Sequence, residues 1–179
     1  MDAVEWMRQI ASNYASVMLL IKMIAFLIGA GCIITAITLI AYVQVLGMQT
    51  QQQWHLGMLL LLMFVGSLFL SFGVLMQGTS DTVFGTDTEV LSLYTSQDNW
   101  SISESADSTS VLKQFVVLSS RLLGFMFGLW GLITILSSSM PNSQSSIKGG
   151  MVSIVVGVLF VDIISTLNLF GDLGNTYLK

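Results

Sequence analysis

The sequence predicts an all-α membrane protein: four hydrophobic helices in two hairpins, an N-terminal amphipathic helix, and a polar acidic segment between helices two and three. Three observations predict it. Hydrophobic residues make up 54% of the 179 residues and charged residues only 9%, against roughly 25% charged in an average soluble domain. Several uncharged runs reach the length of about 20 apolar residues that crosses a hydrocarbon core as a helix. The charges gather between those runs. Six Lys+Arg and ten Asp+Glu cannot cover the surface of a soluble globule of this size. The same apolar excess excludes intrinsic disorder. A single Cys excludes a disulfide scaffold and a Cys-based zinc site. A net charge of −4 excludes electrostatic binding of nucleic acid.

Residues 1–22 read as a separate amphipathic helix. Val4, Met7, Ile10 (or Ala11), Tyr14, Val17 (or Met18) and Ile21 recur at helical spacing. Asp2 and Glu5 near its start and Lys22 at its end suit the helix dipole. The helix is expected to lie along the membrane before the chain turns in. The first transmembrane hairpin covers 23–76. Its spans are Met23 to Leu46 and Leu56 to Met76, neither containing a charge, joined by the polar stretch Gln49 to His55.

Residues 77–114 change character. Asp81, Asp87, Glu89, Asp98, Glu104 and Asp107 stand among Ser and Thr, with Lys113 as the one base. Backbone without partners is expensive in lipid, so this segment is expected to be solvated. Thr88 to Tyr94 could form a short helix or strand. The second hairpin covers 115–170, with spans Phe115 to Leu136 and Gly149 to Phe170 around a turn at Pro141-Asn142. Residues 171–179 form a polar tail.

Lys/Arg bias sets orientation. Four spans put Arg8, Lys22, Lys113 and Lys179 on one side and Lys148 on the other. The expectation is N-in and C-in, with the acidic segment inside.

Arg121 and Asp162 are the only ionisable residues within the expected spans. An intramembrane charge costs about 2.5–3.5 kcal/mol on insertion scales, so each needs a partner or water. Arg121 lies about 22 Å from the loop joining its hairpin and Asp162 about 17 Å, a mismatch of roughly one helical turn. An Arg121–Asp162 structural pair follows. The alternatives are snorkelling of Arg121 to the headgroups, an intersubunit pairing of Asp162, and a proton or ion pathway. Gly124, Gly128 and Gly131 form a small-residue face, and Gly29 and Gly157 belong to similar spacings (Ala25/Gly29, Ser153/Gly157). Such faces let helices approach closely in lipid, within or between chains.

No catalytic arrangement emerges. His55 has no acid near it in sequence, and no phosphate-loop, dinucleotide, HExxH or CxxC motif is present. The acidic residues do not have calcium-loop spacing. The reading is a non-enzyme without cofactor or metal, in contact with lipid.

This layout, with MDAVEWMRQIASNY at the start and GGMVSIVVGVLFVDIISTLNLF near the end, resembles the small membrane proteins of type IVB secretion and conjugation systems. The families are the IcmC/DotE group of the Dot/Icm apparatus and its plasmid counterpart, the TraQ conjugal transfer protein. The resemblance implies a subunit of a bacterial inner-membrane machine that moves DNA or effectors. Its partners would be other subunits of that machine or copies of itself, with no sequence-specific binding of nucleic acid. A pilin-like subunit polymerising into a conjugative pilus is one alternative, and a small pore or transporter subunit another.

Overall fold

The computed structural model describes residues 3–46, 56–84, 90–96, 100, 102, 108–138, 145–168 and 171. Every secondary-structure element among them is helical. In chain order these are α1 (Ala3–Ser12), α2 (Tyr14–Leu46), α3 (Leu56–Leu70), α4 (Phe72–Phe84), α5 (Val90–Thr95), α6 (Ser108–Ser138) and α7 (Ile147–Val161). Two helices are long and apolar enough to cross a membrane, Ala3–Ala41 and Ser108–Ser138, or three if α3 and α4 count as one bent span.

The expected turn between an interfacial helix and the first span is absent. Only Asn13 separates α1 from α2, and it keeps the ladder going: its N–H donates to the Ile10 carbonyl and its carbonyl accepts from Val17 N–H, both at 3.0 Å. The apolar face of α1 is used by protein, since α1 packs against α6 and Ala11 is buried. Tyr14 stacks on Phe115 at 6.0 Å, and its hydroxyl is 2.8 Å from Ser119 Oγ. This rod of 39 residues is about 58 Å long, nearly twice a hydrocarbon core of about 30 Å.

The second expected span is not straight. α3 and α4 meet at 86° around Ser71. Ser71 Oγ donates to the Ser67 carbonyl at 2.8 Å, and Ser67 Oγ to the Phe64 carbonyl at 2.7 Å. Hydroxyls that bond back onto the preceding turn favour bending, but the same bonds at Thr35 and Ser119 leave α2 and α6 unbroken, so they do not by themselves set this angle. The bend turns Phe72 and Met76 into the core, where both are fully buried. α4 then continues to Phe84, well into the stretch expected to be a solvated linker.

α5 falls on the stretch expected to form a short helix or strand and is a helix; what departs from the expected solvated segment is the burial of Val90 and Trp100. Val90 and Trp100 are both 1% exposed. The Trp100 indole donates to the Leu93 carbonyl at 2.8 Å, so its one polar group is satisfied. Both ends of α5 are tied to other helices. Gln77 of α4 accepts from Leu91 N–H at 2.8 Å. Lys22 of α2 donates to the Thr95 carbonyl at 3.5 Å and lies 5.2 Å from the Tyr94 ring centroid. A cation at a helix C-terminus complements the dipole.

α6 and α7 pack along each other, as do α2 and α3. The expected fourth span is interrupted. α7 stops at Val161, Asp162 leaves helical geometry (φ −111°, ψ 63°), and helix resumes over 163–168. The expected first loop with His55, the turn residues 139–144 and residues 172–179 lie outside the described residues.

Candidate functional site at the break in the last helix

The break at Asp162 gathers the polar groups of the α6–α7 interface. Ending a helix frees its last carbonyls, and in an apolar setting they must be met by other groups. Here hydroxyls meet them. Ser120 Oγ of α6 donates to the Phe160 carbonyl at 2.6 Å. Thr166 Oγ1 donates to the Leu159 carbonyl at 2.8 Å and lies 2.9 Å from the Asp162 carbonyl. Asp162 Oδ1 accepts from Ser165 N–H at 3.2 Å, capping the helical turn that follows. Ser120 and Thr166 are buried.

Arg121 sits one residue from Ser120 in α6, and Asp162 stands at the break itself. No direct ion-pair contact joins them among the described residues. The Arg121 Nε is buried without a hydrogen-bond partner. The expected Arg121–Asp162 contact is therefore not seen, and the Asp162 carboxylate instead meets the backbone of the turn that follows it. Asp162→Ala is expected to lower stability by about 1 kcal/mol, the usual cost of losing an N-cap, while Asp162→Asn keeps most of it. Denaturant titration of the purified chain in detergent checks this. An Asn variant as damaged as the Ala variant would show that charge, not capping, is what counts.

The glycines of the two helices do come together. A Cβ at Gly157 would lie 2.6 Å from the Gly124 carbonyl oxygen and 2.8 Å from the Gly128 nitrogen. Gly131 stands opposite Gly150 in the same way, its added Cβ 2.7 Å from the Gly150 carbonyl oxygen. Gly128 also faces the Met76 sulfur, and Gly29 faces the Gly66 carbonyl and Phe69 across α2 and α3. These contacts are all within one chain.

Around Phe125 of α6 the packing is aromatic. Phe72, Tyr94 and Trp100 place their ring centroids 6.2, 5.8 and 6.1 Å from it. A Cβ on Gly73 would run into the Tyr94 ring. Burial pushes the Tyr94 hydroxyl above its ordinary pKa. A raised folded-state value leaves stability intact below the ordinary tyrosine pKa of about 10 and loses it as pH rises through the folded value. Alkaline titration should therefore loosen α5 in the wild type more than in Tyr94→Phe. Equal pH profiles for the two, read by near-ultraviolet dichroism, would contradict it.

Among the described residues no group of three or more His, Cys, Asp or Glu could hold a metal. The hydroxyls of Ser120 and Thr166 are spent on carbonyls, so the break reads as a structural joint. Sequence reading missed Ser120 and Thr166. Asp is a favoured N-cap residue, but Asp162 has no Glu or Gln three residues on to complete a capping box. Comparison with protein-family models, curated proteins and solved structures gave no match.

Proposed function

We propose that the chain is a non-enzymatic integral membrane subunit of a type IVB secretion or conjugation apparatus, without a cofactor, assembling with other subunits in the bacterial inner membrane. One observation carries the membrane part. The most apolar windows of the two long helices are only 28% and 39% buried within the chain. Leu27, Phe26 and Trp130 are 68%, 61% and 63% exposed. A surface this apolar needs lipid or protein against it. The secretion part rests on the resemblance in layout described above.

In this reading the chain crosses four times. The helical stretch 147–168 spans roughly 33 Å despite its break, enough for a core of about 30 Å, and α3 with α4 supplies the second crossing. N-in and C-in orientation follows from the basic residues. Ser108 and Ser146 are exposed probes on opposite sides. In a Cys32→Ala background, an impermeant maleimide added to spheroplasts should label Ser146→Cys and spare Ser108→Cys. The reverse pattern would overturn the orientation.

Deleting the gene and measuring DNA transfer tests the function. Transfer should be abolished and restored by the gene in trans. Unchanged transfer would reject the secretion reading. Recovery of the chain in sheared filaments would replace the inner-membrane subunit with the pilin-like one.

A further inference from the structure

A groove of about 290 Å³ runs between α3 and α7, floored by Ile135 of α6 and closed at one end by Leu75 and Thr79 of α4. We propose that this groove is a binding site for one acyl chain of a bilayer phospholipid. The inference rests on the membrane reading above.

Its chemistry excludes a polar ligand. The walls are Leu61, Phe64 and Leu68 on one side and Met151, Ile154 and Val155 on the other. The only polar side chain in the lining among the described residues is Thr79, and its hydroxyl already donates to the Leu75 carbonyl at 2.8 Å. No free donor and no charge remains among these side chains to fix a headgroup or an ion. An apolar cavity of about half this volume stays dry and takes up small hydrocarbons. Water therefore gains nothing here, and a hydrocarbon chain does.

The lining also separates a lipid chain from a second protein helix. Helices meet in lipid through small residues that let backbones approach. This chain does so where α6 meets α7, with Gly124 against Gly157. Among the described residues the groove lining contains no Gly, Ala or Ser. Its walls are branched, aromatic and thioether side chains, without the small-residue face by which the helices of this chain approach one another. The rim residues Phe64 and Met151 are 59% and 58% exposed, so the slot opens onto the apolar surface that faces the bilayer in this reading.

The full chain, reconstituted into phosphatidylcholine vesicles carrying a diazirine on one acyl chain, tests the proposal. After irradiation, mass spectrometry should find adducts on Leu61, Leu68 and Ile154 several-fold above those on the outward-facing Leu27. Val155→Trp and Met151→Trp, each placing an indole across the slot, should lower the groove adducts several-fold and leave Leu27 unchanged. Two variants guard against misfolding of either one. Adducts on Leu27 with none in the groove would overturn the site alone, as would groove adducts insensitive to both variants or cross-links there to a second copy. A chain that fails to enter vesicles and gains no adduct anywhere would overturn the membrane reading as well.

Discussion

Gly157→Leu is expected to separate α6 from α7 and to leave little of the chain folded. Overpacking a core usually costs about 1–3 kcal/mol because neighbouring side chains can shift. At Gly157 the atoms in the way are the Gly124 carbonyl oxygen and the Gly128 nitrogen, at 2.6 and 2.8 Å from the added Cβ. Backbone of a helix held by its own ladder cannot move aside, so α7 must. Moving it strips the Ser120 bond from the Phe160 carbonyl and breaks the Gly131–Gly150 approach. The expected loss therefore exceeds the ordinary range. Gly149→Leu, where an added Cβ meets nothing within 4 Å, should stay within about 0.5 kcal/mol of wild type. Resistance to denaturing detergent, read by far-ultraviolet dichroism, separates the two. Equal resistance would remove the glycine contact as the basis of α6–α7 packing.

The glycine spacing was legible because the requirement is local. A small residue every fourth position marks one face of a helix, whatever it meets. Its partner was not legible, since the same spacing serves contacts within and between chains. The bend at Ser71 was hidden for a different reason. Leu56 to Met76 contains no Pro and no charge, and hydropathy measures composition without direction. The bend sets Phe72 against Tyr94 and Phe125, which are distant in sequence. Trp100 was masked by averaging, as one aromatic among acids and serines barely changes the polarity of the segment yet becomes one of its buried anchors. Asp162 was visible as a charge and was read for charge, while its local role is to end one helical stretch and start the next. The all-helical class survived all of this because it depends on long apolar runs alone.

Phe125→Ala is the second change expected to have a large effect. Phe125 is fully buried, and its ring is the common neighbour of Phe72 on α4, Tyr94 on α5 and Trp100. Removing a buried Phe ring costs about 3–5 kcal/mol through lost transfer energy and the cavity left behind. The loss should be local first. α5 is a short helix held by this cluster, by Gln77 at one end and by Lys22 at the other. Without Phe125 the polar contacts, the Phe72–Tyr94 edge contact and the Trp100–Leu93 bond must hold it around a cavity. Trp100 reports this directly, because it is buried in the wild type. The chain has four Trp, so the other three are replaced by Phe and the emission of Trp100 is followed. In that background Phe125→Ala should shift the emission to the red and open it to an aqueous quencher. Phe127→Ala is the control. Phe127 is on the same helix but 41% exposed, stacking on Phe160 at 5.8 Å. It should leave Trp100 unchanged. If Phe125→Ala also leaves Trp100 protected, the acidic segment is held to the bundle by something other than this cluster, and the polar ties at Gln77 and Lys22 become the anchors to test.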